Sequence, residues 1–421
     1  MLYTFSDSQI AYIARHDTVI EHTLQPRIRA GSPLRSDKLR GMRAIWIQSR
    51  GTLENPFNYT GVVTGKAFCN RKKELADLLR LMRAGQNVLL YSHRRYGKTS
   101  LVQRVFDQMT AGRPKTAGIF VDLYGTVSEK EFVNALLQGF SQVEPTADRL
   151  LKTAKKLFAG LRLSVTVDPN TGGANLALAS APGNPEALLD TAMTVLERYA
   201  RQRKLAVVLD EFQEVAHYAE SGFEKRLRAH IQHHANIAYV FCGSQRHLLT
   251  ELFHDENRAF YRIAEPYPIE RIEADAYVQW ASALFAEKGT PPDPALLHAV
   301  CARCENHPMY VQQFLFHLWS CRRPSVEELD RIEADILQRN QNGYLNLWES
   351  LTLNQKKALK LVAATGGQKM YNAEALQQVG FSAGSQLKRA LDALTARSIL
   401  EKNGAYRIQD VLFARWVAQL S

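Results

Sequence analysis

One nine-residue stretch limits the fold of this chain more than any other. Ser92-His93-Arg94-Arg95-Tyr96-Gly97-Lys98-Thr99-Ser100 lies between a short apolar run at 87–91 and a segment of helical spacing at 98–110. A glycine followed by lysine and threonine, placed where a buried strand turns into a helix, is the core of a phosphate-binding P-loop. Gly97 lets backbone N–H groups approach an anion, and the helix beginning there presents its positive dipole end. Lys98 is placed to reach the β- and γ-phosphates of a nucleotide, and the Thr99 hydroxyl to hold Mg²⁺. The usual first glycine of the pattern is replaced by Ser92. A small residue is acceptable there, because the position mainly permits a turn.

Such a loop implies a parallel sheet, and the neighbouring periodicity agrees. Apolar strand-length runs at 118–123, 205–209 and 238–242 alternate with helical stretches at 69–83, 128–159 and 185–203, the pattern of strands with helices on both sheet faces. The run at 205–209 ends in Asp210-Glu211-Phe212-Gln213. An acidic pair on a hydrophobic strand about 110 residues after the loop divides the work of a phosphoryl-transfer site, with Asp210 supporting the metal and Glu211 polarising the attacking water. The next strand ends in Gly243-Ser244-Gln245, so Ser244 or Gln245 is a candidate to sense the γ-phosphate. Arg258 and Arg262 are candidate arginine fingers, in cis or across a subunit contact, with Arg262 the better placed.

Residues 161–180 interrupt the rhythm with two alternating runs around Asp168-Pro169-Asn170-Thr171-Gly172-Gly173, which reads as a hairpin inserted on the domain surface. Beyond Pro268 the strand signals stop, and helical patterns cover 273–288, 294–304, 308–321 and 325–340. The last eighty residues or so read as three helices followed by a hairpin around Asn403-Gly404, a winged helix-turn-helix, with Ser382 expected to cap its third helix. The expected organisation is an extension of unknown role at 1–54, a P-loop α/β domain at 55–270, a helical lid at 271–342 and the winged helix at 343–421.

Composition adds exclusions. With 46% hydrophobic and 23% charged residues the chain is an ordinary globular sequence, not a disordered or fibrous one. No apolar run approaches the length of a membrane span, the amino terminus lacks the pattern of an export signal, and five scattered cysteines suit a reducing cytoplasm. Cys301-Ala302-Arg303-Cys304, with His307 and Cys321 nearby, reads as buried thiols rather than a zinc site, and His230, His233 and His234 read as a solvated helix face. The net charge of +11 suits an anionic ligand, and residues 343–421 carry ten basic side chains against five acidic ones, leaving DNA contact open for the winged helix.

Over residues 55–421 the sequence resembles the archaeal-type P-loop ATPases of the signal-transduction (STAND) branch, relatives of AAA+ proteins. The resemblance rests on Asn55-Pro56-Phe57 with Phe68-Cys69-Asn70-Arg71-Lys72-Lys73-Glu74, on the segment 94–100, on Asp210-Glu211-Phe212-Gln213, on Gly243-Ser244 and on Phe260-Tyr261-Arg262. It continues with Asn306-His307-Pro308-Met309-Tyr310 and with the stretch from Tyr406 through Asp410 and Phe413 to Trp416. It implies an ATP-binding and ATP-hydrolysing molecular switch, with nucleotide held between the three modules, Arg71 and Glu74 near the adenine end and Pro308 against the base. It also implies ADP as the alternate ligand and a homo-oligomer or protein partner. The winged helix of such proteins often senses the nucleotide state from within the chain. The alternatives are an ATP-regulated DNA-binding regulator or initiator-like protein, and a slow-turnover scaffold in a defence or toxin-linked system.

Overall fold

The computed structural model describes residues 54–112, 116–143, 163–167, 174–178, 186–220, 222–289 and 291–420. Through residue 268 its strands, in chain order, are β1 (Val88–Tyr91), β2 (Ala117–Asp122), β3 (Leu163–Val167), β4 (Ala174–Leu178), β5 (Leu205–Asp210), β6 (Ile237–Gly243) and β7 (Glu265–Pro268). All but β3 and β4 join one parallel sheet in the order β2-β5-β6-β1-β7. Strand β7 carries two prolines and was not legible as a strand; it lies at the sheet edge, where a missing N–H is tolerated.

The central strands are apolar along their whole length because both sheet faces are covered. Helices α1 (Lys72–Arg83) and α2 (Lys98–Ala111) pack Leu78, Met82, Leu101 and Val105 against Leu90, Val208 and Val240. On the other face α3 (Glu129–Ser141), α4 (Glu186–Ala200) and α5 (Phe223–His233) enclose Ile119, Val207, Tyr239 and Phe241. Alternate residues of one strand thus feed two separate cores. Each fully buried large apolar side chain contributes about 1.5–3 kcal/mol.

The hairpin read from 161–180 is present as antiparallel β3 and β4, with Leu163 opposite Leu178, while its turn lies outside the described residues. It is more than a surface insertion: Leu176 is fully buried in the α3–α4 core, and the Asn134 side chain of α3 accepts a hydrogen bond from Leu178 N. The helix expected over 128–159 is described only to Ser141 and the two residues after it.

After β6 come α6 (Arg246–His254) and then α7 (Ala274–Lys288), α8 (Pro294–Arg303), α9 (Pro308–Ser320) and α10 (Val326–Glu349). The winged helix follows as α11 (Leu353–Thr365), α12 (Ala373–Gln378), α13 (Gly384–Ala396), β8 (Leu400–Asn403), β9 (Ala405–Ile408) and α14 (Val411–Gln419). Thr352 and Gln355 form a reciprocal capping box at the start of α11. Two expectations need correction. Ala383, not Ser382, occupies the cap position of α13, and the Ser382 hydroxyl instead donates to Gln386 Oε1. The chain after β9 forms a further helix, α14, whose Phe413, Trp416 and Val417 are buried. One continuous core runs from α7 through α14, so the helical module and the winged helix share their interior. Among the described residues no helix is long and apolar enough to cross a membrane.

Close packing between α3 and β2 gives a direct test. A Cβ built on Gly139 would sit 2.4 Å from the carbonyl oxygen of Phe120, a backbone atom that cannot move aside cheaply. Gly139→Ala is expected to destabilise the α/β core by about 1–3 kcal/mol, read as a lower urea midpoint by intrinsic fluorescence, with α7–α14 unaffected.

Candidate functional site

The parallel register brings four strand ends to one edge. Tyr91 of β1 pairs with Gly243 of β6, and Asp122 of β2 pairs with Asp210 of β5. Ligands of open parallel sheets bind outside this carboxyl edge. Here the edge opens into a cleft of about 1000 Å³, bounded by the 92–100 loop, the acidic turn after β5, α9 and the winged helix.

Within the loop, Gly97 (φ 83°) and Arg95 (φ 63°) adopt left-handed backbone conformations. For arginine that geometry costs about 1–2 kcal/mol. The guanidinium reaches the Met309 sulfur on α9 at 3.2 Å. Gly97 caps α2 without a side-chain hydrogen bond, which leaves the first-turn N–H groups of α2 available to an anion. Lys98 is buried and rests 3.5 Å from both the carbonyl and the hydroxyl of Ser92. Ser92 needs no left-handed conformation, so the absent glycine imposes no backbone strain. Arg94 and Thr99 also line the cleft. Ser100 is committed elsewhere: its buried hydroxyl accepts from Val63 N at 2.8 Å and pins the 58–63 segment to α2.

The acidic turn is built by its own four residues. Asp210 ends β5, and burial raises its carboxyl above the usual range while nearby Lys98 opposes that rise. Glu211 is left-handed (φ 50°), and Phe212 drops into an aromatic cluster with Phe241, Phe253 and Phe260. A short 3-10 turn, Phe212–His217, then folds Gln213 back beneath Glu211. The Glu211 carboxylate accepts hydrogen bonds from the Ser244 hydroxyl, the Ser244 backbone N–H and the Gln213 amide. Asp210, Glu211 and Ser244 all face the cleft, whereas Gln245 caps the start of α6.

A polar network ties the loop to the rest of the chain. The Tyr96 hydroxyl accepts from Arg271 Nε at 3.0 Å, and Arg271 also donates to the carbonyl and carboxylate of Glu305. Glu305 pairs with Arg407 on β9 at 2.7 Å, and His93 of the loop meets Glu401 on β8 at 2.6 Å. Burial pushes the Tyr96 phenol up, opposed by Arg271. Burial alone would also raise Glu401, but His93, Arg271 and Arg407 outweigh it and hold the carboxyl below its ordinary range. His307 packs edge-on against Tyr96, and burial reinforced by Arg271 and His93 lowers its pKa to about 3, so its ring is neutral at physiological pH. On α9 the Tyr310 hydroxyl donates to Asp410 at 2.5 Å, joining the lid to the first residue before α14.

Of the residues singled out from sequence, Arg71, Ser92 to Ser100, Asp210, Glu211, Ser244 and Pro308 meet at the cleft or its immediate wall. Arg71 is buried, pairs with Glu74 at 2.7 Å and keeps its Nη2 without a partner. Arg262 is exposed, left-handed and stacked over Tyr261, outside the cleft. Arg258 is engaged by Glu224 and Glu251. Sequence reasoning assigned no role to Gln213, His93, Arg271, Glu305, Glu401 or Tyr310. His93, Gln213 and Tyr310 stand inside the quoted motifs, but Arg271, Glu305 and Glu401 carry no local signal, since their partners are distant in the chain.

Comparison with known proteins agrees with this geometry. Residues 82–252 match the family model described as "AAA domain", and residues 342–419 match the one described as "Probable winged helix domain". The first match spans the P-loop, the acidic turn and most of the parallel sheet, and the second spans the winged helix, so each family likeness is to a part of the chain. Among solved structures, the Walker-type ATPase PABY2304 of Pyrococcus abyssi is similar with a TM-score of 0.62 at 17% identity, over 86% of this chain and 99% of that one. The ORC2 protein of Aeropyrum pernix, solved as ADPNP–ADP complexes, has a TM-score of 0.53 at 15% identity, over 83% of this chain and 92% of that one. At these identities the likeness shows a shared fold alone. A search of curated proteins found no match.

The wing contact is testable through its carboxylate. A carboxyl with a depressed folded-state pKa contributes stability above its unfolded value and loses it as pH falls through the folded one. Docking of β8–β9 is therefore expected to weaken below about pH 4.5, the ordinary value for glutamate. In Glu401→Gln, hydrogen–deuterium exchange at 400–408 should already be several-fold faster at neutral pH, and the acid step should disappear.

Proposed function

We propose that the chain is an ATP-binding and ATP-hydrolysing molecular switch of the STAND type, in which the state of the nucleotide cleft is passed to the winged helix. The observation that carries this reading is the direct link from the loop to the wing, His93 to Glu401 and Tyr96 through Arg271 and Glu305 to Arg407. A polyphosphate entering the loop competes with the resting contacts of Lys98 and of its neighbours, and any change in the loop bears on two strands of the wing. The switch works only to the extent that open and closed arrangements bind ATP with different affinity.

The side chains suit ATP with Mg²⁺. Uncapped N–H groups of α2 and the cations Arg94, Arg95 and Lys98 face the polyphosphate, while Thr99 and Asp210 supply the hard oxygen donors a magnesium ion requires. Bound there, the ion would supply charge neutralisation at the transferring phosphate. Arg71 and Pro308 flank the base end, Ser244 senses the γ-phosphate, and Glu211 orients and deprotonates the attacking water. Arg262, exposed as it is, serves in trans from a second copy. The working modules are the α/β domain (55–270), the lid (271–342) and the winged helix (343–421), preceded by the 1–54 segment, in a cytoplasmic protein with a protein partner or second copy.

Lys98→Ala is expected to abolish binding of a fluorescent ATP analogue, and Glu211→Gln to bind it normally while turnover falls by at least about a hundredfold. Continued hydrolysis by the Glu211→Gln protein would remove Glu211 from this role.

A second reading has one supporting observation. Lys388 and Arg389 lie exposed on α13, the helix that would enter a DNA major groove in a winged helix. If DNA is the partner, binding of labelled duplex falls steeply with salt and depends on ATP; a flat response leaves the switch reading alone.

A further inference from the structure

Gln213 lies outside the set of residues that touch the cleft, yet its placement is specific. Its side chain is buried, with 1% of the residue exposed, and its amide donates to Oε2 of Glu211. The same oxygen accepts from the Ser244 hydroxyl at 3.0 Å and from Ser244 N at 3.4 Å, whereas Oε1 accepts only from that shared hydroxyl, at 3.2 Å. The two oxygens of one carboxylate are therefore unequal: Oε2 is anchored, and Oε1 keeps open acceptor capacity.

Two features show that this anchor is maintained at a cost. The carbonyl oxygen of the Gln213 amide is buried with no hydrogen-bond partner, an arrangement that disfavours folding. The end of β6 also leaves room for it: a Cβ on Gly243 would lie 2.2 Å from Gln213 Oε1. Gly243 has no left-handed conformation to satisfy, so the space for the amide is what a side chain there would remove.

We infer that Gln213 is a positioning residue for ATP hydrolysis: it fixes Oε2 of Glu211 so that Oε1 points its free acceptor site at the attacking water, with Gly243 providing the space. The inference rests on the hydrolytic role proposed above for Glu211. A carboxylate held by several donors from a rigid turn is pre-organised, so its catalytic orientation need not be found anew in each turnover.

The test compares Gln213→Ala, Gly243→Ala and the double variant in the full chain with the wild type, measuring steady-state ATP hydrolysis and the affinity for a fluorescent ATP analogue. Each single change is expected to lower kcat about tenfold or more while the analogue Kd stays within about twofold. Because both changes sever the same hydrogen bond, the double variant should be no slower than the worse single one. It should also be more heat-stable than Gly243→Ala, since the nearer crowding partner is gone and only Leu249 Cδ1, 2.8 Å from the added Cβ, remains. An unchanged kcat in Gln213→Ala, or a double variant that loses the product of the two single effects, overturns the inference even if Gly243→Ala fails to fold. A wild type that binds the analogue but shows no turnover overturns the hydrolytic reading, and this inference with it.

Discussion

A strand buried on both faces can place a charged side chain only at its ends, and most of this site follows from that constraint. From Leu205 to Leu209 every residue of β5 is buried, so Asp210 is the first position at which a carboxylate meets anything but hydrocarbon. The same holds for β6, whose seven residues are all buried up to Gly243, and Ser244 follows directly. Parallel register then does the assembling. Side chains that are polar because their strands have ended come to lie beside the 92–100 loop, which leaves the first-turn N–H groups of α2 open to an anion.

The acidic turn shows how strongly a core can direct a surface. Phe212 is fully buried among three aromatic rings, and Glu211 beside it has a left-handed backbone that non-glycine residues rarely adopt. The strain is repaid by apolar burial next door rather than by anything the carboxylate does. Packing of Phe212 anchors the turn next to Glu211, and Gln213 and Ser244 then hold the carboxylate at the end of its side chain.

Much of the fold was legible because its signals are local. Strand-length apolar runs, a glycine-lysine-threonine loop and an asparagine-glycine hairpin each announce themselves within a few residues. The edge strand β7 was not legible, since two prolines in four residues suppress every strand signal and only its pairing with β1 makes it one. Nor was α14, whose apolar spacing was absorbed into the motif around Asp410. In the site, the loop and the acidic pair were readable, but the network through Arg271, Glu305, Arg407 and Glu401 joins residues 34 to more than 300 positions apart, and no periodicity records such pairings.

The basic surplus of the winged helix carries a different meaning once its side chains have addresses. Arg407 is occupied by Glu305, Arg415 by Glu333, and Lys357 and Lys360 donate to backbone carbonyls of their own module. These cations hold the winged helix together and against the lid, and they complete contacts that a nucleic acid would have to break. Lys388 and Arg389 remain outward on α13, while the wing, the other element such a module uses on DNA, is paired with His93 of the loop and with Glu305 through Glu401 and Arg407. Engagement of duplex by both elements together would therefore require the wing to leave the loop. Under the proposed switch, contact with the loop and contact with duplex would compete for the same two strands, so a protein that did both would do them in alternation.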